Sequence, residues 1–234
     1  MLYLYQSNRL EDLADLLHAI RQRQPLSHPL AAEEIVVQSQ GMRRFLSQFL
    51  AKTSGIAANL RFSLPAALAW RLMREVLPGT PALSPFSTEV MRWRLLDLFN
   101  SKRLQHDAQL AESHRALSGY LSNGEQAAYQ LAGRLADIFD QYLVYRPDWI
   151  NSWQAGKELN LGEGEGWQAE LWRFLDDGAQ NTPHRVALWQ NLLAGLSSHP
   201  LPERILVFGI ATLAPMYLQL LQTLGEHTEI HIFA

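Results

Sequence analysis

The side chains best placed for chemistry fall in two sets. One is the polar run Gln38, Ser39, Gln40 with Arg44 behind it; the other is the helix-spaced set Arg134, Asp137, Asp140 and Gln141. Amides, carboxylates and guanidinium groups accept from and donate to polar partners, so recognition is the chemistry they offer. By residue type, a solvated helix flank is the ordinary reading of Asp137, Asp140 and Gln141, and recognition is the functional one. His227, Glu229 and His231 alternate along a predicted strand and could share one face as metal ligands, although Ile230 and Phe233 favour an ordinary strand. Gly162 to Gly166 (GEGEG) suggests a phosphate loop but fails on context. No strand precedes it, no Lys or Ser/Thr follows, and two Glu repel phosphate, so it is read as a flexible loop. HExxH and GxSxG are absent, and Asp176 with Asp177 reads as a solvated helix end.

The elements that must carry these residues are legible from periodicity. Ile35 to Val37 is a β-branched run, and Met42, Phe45, Leu46, Phe49 and Leu50 follow at helical spacing. This strand, loop and helix form the half-unit of a doubly wound sheet, where ligands sit beyond the carboxyl ends of strands, so function is sought between Gln38 and Arg44. Leu2 to Tyr5 repeats the pattern as a strand. It is followed by the turn Gln6, Ser7, Asn8 and a helix face of Leu10, Leu13, Leu16, Leu17 and Ile20, with Asn8 and Glu11 spaced as a capping box. Two such units argue for parallel neighbours joined by right-handed crossovers.

Gly55 to Phe62 can hold a third short strand, and Pro65 opens a helix apolar on two sides, with Trp70 read as core by type. Residues 79 to 85 are a loop and Ser87 to Phe99 a helix. The polar stretch from Asn100 to Asn123 fits either a mobile connection or a short helix. Gln126 to Tyr145 carries the strongest helical pattern, stopped by Pro147 with Tyr145 and Arg146 at its exit. Tryptophans at 149, 153, 167, 172 and 189 then give an aromatic density above what a small helical subdomain needs. Glu203 to Phe208 returns to strand, a helix begins near Pro215 and ends at Gly225, and Glu229 to Phe233 is a last strand. With no residue left for the loop after that strand, the sequence reads as the amino-terminal part of a longer protein.

Composition narrows the classes. At 234 residues and 47% hydrophobic, the chain can bury a sizeable core. It has no apolar run long enough for a membrane span and no signal-peptide pattern. Cysteine is absent, which removes disulfide and thiolate chemistry and fits a cytoplasmic location. The net charge of -3 gives no global basic field. All cationic residues except Lys52, Lys102 and Lys157 are arginine, which suits planar contacts to phosphates, bases and carboxylates; codon bias accounts for the excess equally well. A nucleotide motif needs glycines and a lysine after the first strand, where Gln6, Ser7, Asn8 and Arg9 stand. It also needs an acid after the ILVF strand, where Phe208 and Gly209 stand. No ATP hydrolysis is therefore expected.

Consecutive blocks of the chain resemble the RecC family, the gamma subunit of the bacterial exodeoxyribonuclease V (RecBCD) complex. They are SNRLEDL, IVVQSQGM, GIAANLRFSLPA, LADIFDQYLVYRPDWI, GWQAELW, ILVFGI and APMYLQLLQTLG, and they run from residue 2 to about 233. The resemblance implies an α/β fold: a parallel-sheet, helicase-like core of degenerate P-loop-NTPase type over residues 1–60 and 201–234, with a helical insertion over 61–200. It also implies a channel through which the unwound 3′-ended strand passes toward RecB and in which the sequence Chi is read, with RecB, RecD, single-stranded DNA and a duplex end as partners and no cofactor. The recognition residues it implies are Gln38, Gln40 and Arg44 near the second strand, Leu64 and Trp70 near the third, Asp137, Ile138, Asp140, Gln141 and Arg146 along the long helix, and Arg185. Gln40, Ile138 and Arg44 replace the Thr, Leu and Gln of the sequence resembled.

Single-stranded bases expose Watson–Crick edges to the amides and carboxylates of this set and faces to Trp70 and Leu64, while Arg146 and Arg185 can hold phosphate or guanine. The leading expectation is a non-catalytic DNA-binding scaffold. An active ATPase or nuclease module, and an assembly surface without DNA contact, are the other classes the sequence leaves open.

Overall fold

The computed structural model describes residues 1–179 and 182–234, and the chain divides into two compact units, Met1–Pro78 with Asn191–Ala234 and Gly79–Gln190. The first contains β1 (Leu2–Tyr5), α1 (Leu10–Arg23), β2 (Glu33–Val37), α2 (Gln40–Ser54), β3 (Leu60–Ser63) and α3 (Pro65–Val76). Helices α4 (Thr88–Asn100), α5 (Arg103–His106), α6 (Ala111–Leu121), α7 (Glu125–Tyr145), α8 (Pro147–Gln154) and α9 (Glu165–Asp177) follow in the second unit. Then come α10 (Arg185–Gly195), β4 (Arg204–Phe208), α11 (Pro215–His227) and β5 (Glu229–Phe233).

The strands form one sheet in the order β1-β5-β4-β2-β3, and every pairing is parallel. Each residue of β2 and of β4 is buried, as expected for central strands covered by helices on both faces. Alternation sends Ile35, Val37, Leu206, Phe208 and Phe233 to the face packed by Leu13 and Leu17 of α1 and by Leu46 and Leu50 of α2. The opposite face meets α3 and α11. The crossover after β2 leads outward to β3, whereas the crossover after β4 leads the other way to β5. The paired carboxyl ends of β2 and β4, where Val37 lies beside Phe208, are therefore the topological switch point.

Near the opposite ends of these strands, consecutive carboxylates are buried on opposite faces. Glu33 takes a bidentate contact from Arg204 at 2.6 and 2.8 Å and a further one from Arg21 at 3.1 Å. Glu34 lies 2.7 Å from Arg71 and accepts from Ser63 Oγ at 3.2 Å.

The second unit has its own core. Phe139 and Leu143 of α7, Met91 and Leu95 of α4, Trp153 of α8 and Trp172 of α9 are all buried. The carboxylate of Glu170 accepts from the backbone N–H groups of Glu112 and Ser113 and so closes the N-terminus of α6, where the helix leaves donors unpaired.

Several local expectations change. Asn8 and Glu11 form no capping box: α1 starts at Leu10 after Arg9, whose backbone is extended and whose N–H is taken by Ser7 Oγ. The stretch from 100 to 123 is mostly helical, as α5, a short 3₁₀ turn and α6. Pro147 ends α7 and also opens α8. Helix α11 runs on to His227, so His227 lies on a helix and does not share a strand face with Glu229 and His231. The boundary expected at 60/61 falls inside β3, and α3 lies with the sheet.

The GEGEG segment differs most from a flexible loop. Glu165 and Gly166 begin α9, and the Glu165 carboxylate is buried, accepting from Trp153 Nε1 at 2.9 Å and from the N–H groups of Leu159 and Leu161 at 2.6 and 2.7 Å.

Candidate nucleic-acid interface

Four of the residues named from sequence gather along the carboxyl edge of the sheet. Gln38 is exposed directly after β2. Ser39 caps α2 by accepting from Met42 N–H at 3.1 Å, so Gln40 is the first helical residue and Arg44 lies one turn on, both exposed. The segment from Gln40 to Arg44 is thus helix, and only Gln38 and Ser39 form the loop. Leu64 follows β3, the neighbour of β2, and is the 38% exposed residue that precedes α3. Trp70 is half-buried further along that helix, beside the buried stripe Leu68, Ala69, Leu72 and Met73. At the switch point itself, Gly209 takes a positive φ of 65° as β4 ends. A side chain there would strain the backbone and meet Met42, so the chain after β4 passes close against α2.

Arg43, which the sequence reading did not single out, places its guanidinium 5.8 Å from the ring centre of Phe62 on β3. Beyond the carboxyl ends of β2 and β3 this edge therefore offers amides, a stacked guanidinium and an exposed apolar side chain. Deeper in the same unit, burial pushes the Glu34 carboxyl above its ordinary value, and the contacts from Arg71, Ser63 and Arg61 oppose that shift.

The remaining residues belong to the helical unit. Asp137 and Gln141 lie exposed on α7 one turn apart, while Ile138 is half-buried against the helical core. Asp140 Oδ1 accepts from Arg185 Nη2 at 2.6 Å, so these two candidates hold each other across the unit. Arg185 is the first residue of α10. Just before it, fully buried His184 accepts from Ala187 N–H through Nδ1 and faces Gln154 Oε1 at 2.8 Å through Nε2. Burial pushes its pKa down to about 4, which keeps the ring neutral.

Arg146, exposed at the end of α7, donates to the Tyr145 carbonyl and lies 5.5 Å over the ring of Trp149. That stacking was legible as an Arg-x-x-Trp spacing across the start of α8 but was not drawn from the sequence. The flank therefore combines exposed side chains at Asp137 and Gln141, which make no hydrogen bond among the described residues, with a paired carboxylate and a guanidinium on an indole. Among the described residues, no group of three or more His, Cys, Asp or Glu is arranged to hold a metal ion. No helix among them is long and apolar enough to cross a membrane.

The family model described as RecC, N-terminal domain, matches residues 2–234. Curated proteins described as RecBCD enzyme subunit RecC are similar along the chain. The one from Escherichia coli strain K12 is 40% identical over 99% of this chain and 21% of its own length, and that from Haemophilus influenzae is 34% identical over 100% and 23%. The one from Mycobacterium tuberculosis strain H37Rv is 31% identical over 99% of this chain and 22% of its own length. The chain thus spans about a fifth of the length of these relatives. With this match over nearly every residue, the chain belongs to the RecC family, in the part described as its N-terminal domain.

Proposed function

We propose that this chain is a non-catalytic, DNA-contacting part of a RecBCD-type helicase–nuclease that works with RecB and RecD in cytoplasmic double-strand break repair and recombination. The observation that carries this reading is one sheet in which the ends of β1 and β4 lack nucleotide-binding residues while the carboxyl edge exposes amide, guanidinium and apolar side chains. The turn from Gln6 to Arg9 has neither glycine nor lysine, and its Ser7 hydroxyl is taken by Arg9 N–H. Strand β4 ends in buried Phe208, where a magnesium-binding carboxylate would be needed. These features support a helicase-like core that has lost its nucleotide site. The relatives' description as a RecBCD enzyme subunit supports the same assembly here.

In this reading the 3′-ended strand passes as single-stranded DNA, with Chi read as unpaired bases. Gln38, Gln40, Asp137 and Gln141 meet base edges, and Leu64, Trp70 and Ile138 meet base faces. Arg44, Arg146 and Arg185 hold phosphate or guanine, and pairing with Arg185 removes much of the repulsion that Asp140 would exert on the strand. The sheet unit, Met1–Pro78 with Asn191–Ala234, acts as the degenerate core and the helical unit, Gly79–Gln190, as its insertion.

The test uses the complete three-subunit complex. Trp70→Ala and Arg146→Ala are each expected to weaken anisotropy-measured binding of a labelled 3′-tailed oligonucleotide by about tenfold and to blunt the Chi response. Unchanged binding and Chi response in both would leave an assembly surface only. Sustained DNA-stimulated phosphate release by the isolated chain would instead defeat the non-catalytic reading.

A further inference from the structure

In the helical unit, one face carries large aromatic groups that its own core does not use. Trp93 of α4 is 57% exposed and Tyr129 of α7 is 45% exposed, with ring centres 6.2 Å apart. Arg92 lies 5.9 Å over the Tyr129 ring, in a slot that exists because Gly133, one turn beyond Tyr129, has no side chain; a Cβ there would come 3.2 Å from Arg92 Nε. A glycine inside a long helix costs about 1 kcal/mol relative to alanine, so this close seating of the guanidinium is kept against a local penalty. The core of the unit is filled by Met91, Leu95 and Leu98 from the other side of α4.

The rim of this aromatic pair is acidic. Glu89 and Asp97 lie one turn either side of Trp93, and Glu125 lies one turn before Tyr129; all are exposed, and none joins an ion pair among the described residues. Glu89 and Glu125 sit in the first turns of their helices, where negative charge is favoured. Asp97 does not. It lies in the last turn of α4, where the helix dipole disfavours an anion, and that turn holds no basic residue.

We propose that this face is a docking surface for a protein segment that presents a basic side chain next to an apolar one. Trp93 is the anchor, and Asp97 with Glu89 receives the cation. Exposed Trp, Tyr and Arg are the residue types that dominate interface energetics, and unpaired carboxylates around them select a cationic partner. The same carboxylates repel a phosphate backbone, so the face is distinct in chemistry from the strand-contacting groups proposed above. The inference does not depend on that reading.

The test titrates the chain with a fluorescein-labelled helical peptide bearing leucine, with arginine one turn before and after it, and in parallel with labelled oligo(dT). Wild type is expected to bind the peptide in a salt-sensitive manner. Trp93→Ala and Asp97→Lys are each expected to weaken it about tenfold, and Trp93→Phe to retain it, with thermal unfolding unchanged in all three. Peptide binding indifferent to Trp93→Ala and Asp97→Lys would overturn the proposal. So would oligo(dT) binding that Trp93→Ala abolishes, or sedimentation showing that the chain self-associates through Trp93.

Discussion

Arg185 donates to Asp140 across the helical unit at 2.6 Å, although the two are 45 residues apart in sequence. The pair is partly solvated, with side-chain exposures of 21% and 35%, so its direct contribution to stability is at most about 1 kcal/mol. If the chain contacts a DNA strand as proposed, the pair's effect on that strand is larger, because an unpaired Asp140 would face phosphate charge. Arg185→Ala is therefore expected to lower stability by less than about 1 kcal/mol while weakening oligonucleotide binding by the complete complex. Adding Asp140→Asn should restore part of that binding. Denaturant melts and anisotropy on the single and double variants measure both effects, and strictly additive losses would deny the coupling.

His184 controls how α10 begins, and with it the position of Arg185. Its ring is buried and neutral, with a pKa of about 4 against 6.5 for a free histidine. Between those values the unfolded chain binds more protons than the folded one, so stability is full above the unfolded value and declines as pH falls toward 4. The loss should reach about 3 kcal/mol, taking the shift at 1.36 kcal/mol per unit. His184→Gln removes this titration and should flatten the stability profile over that window. A histidine ring resonance that titrates at the ordinary value in the folded protein would contradict the assignment.

Glu33 and Arg204 form a bidentate pair beneath the sheet, with side-chain exposures of only 6% and 4%. Removing one partner leaves an uncompensated buried charge, so Glu33→Ala is expected to destabilise by about 3 to 5 kcal/mol. Replacing both, as Glu33→Leu with Arg204→Met, should recover most of that loss, since apolar side chains of similar volume avoid the desolvation cost. Urea unfolding of the single and double variants decides the point.

The strands were legible in the sequence because their signals are local, but their order was not: β1 and β2, expected as parallel neighbours, are separated by β5 and β4. The β-branched run at Ile35 to Val37 and the apolar run at Ile205 to Val207 mark strands buried on both faces, and the helices after Gln38 and Pro215 announce themselves by period. What escaped depends on distant partners. Asn8 with Glu11 has the spacing of a cap, but Ser7 N–H is tied to the Ala234 carbonyl beside β5. The chain stays extended through Arg9, and the helix starts later. In the candidate interface, the exposure of Gln38, Asp137 and Gln141 follows from their positions. The pairing of Asp140 with Arg185 and the seating of Arg43 on Phe62 need tertiary structure to bring the partners together.

Two buried carboxylates should respond to pH with opposite signs. Burial raises the Glu165 pKa, but the donors Leu159, Trp153 and Leu161 outweigh it and hold the carboxyl below its ordinary value of 4.5. Its contribution is therefore present above that value and lost as pH falls through the depressed folded one. At Glu34, burial prevails over Arg71, Ser63 and Arg61, and the folded pKa lies above 4.5. The folded state then binds the extra proton, and stability falls as pH rises through the raised value. Relative to wild type, Glu165→Gln should become more destabilising from pH 4 to 7, and proteolysis between Lys157 and Gly164 should accelerate as the loop loses one of its two acceptor oxygens. Glu34→Gln should become less destabilising over the same range. Parallel slopes for the two variants in pH-dependent urea melts would show that burial and hydrogen bonding are not balanced as the structure places them.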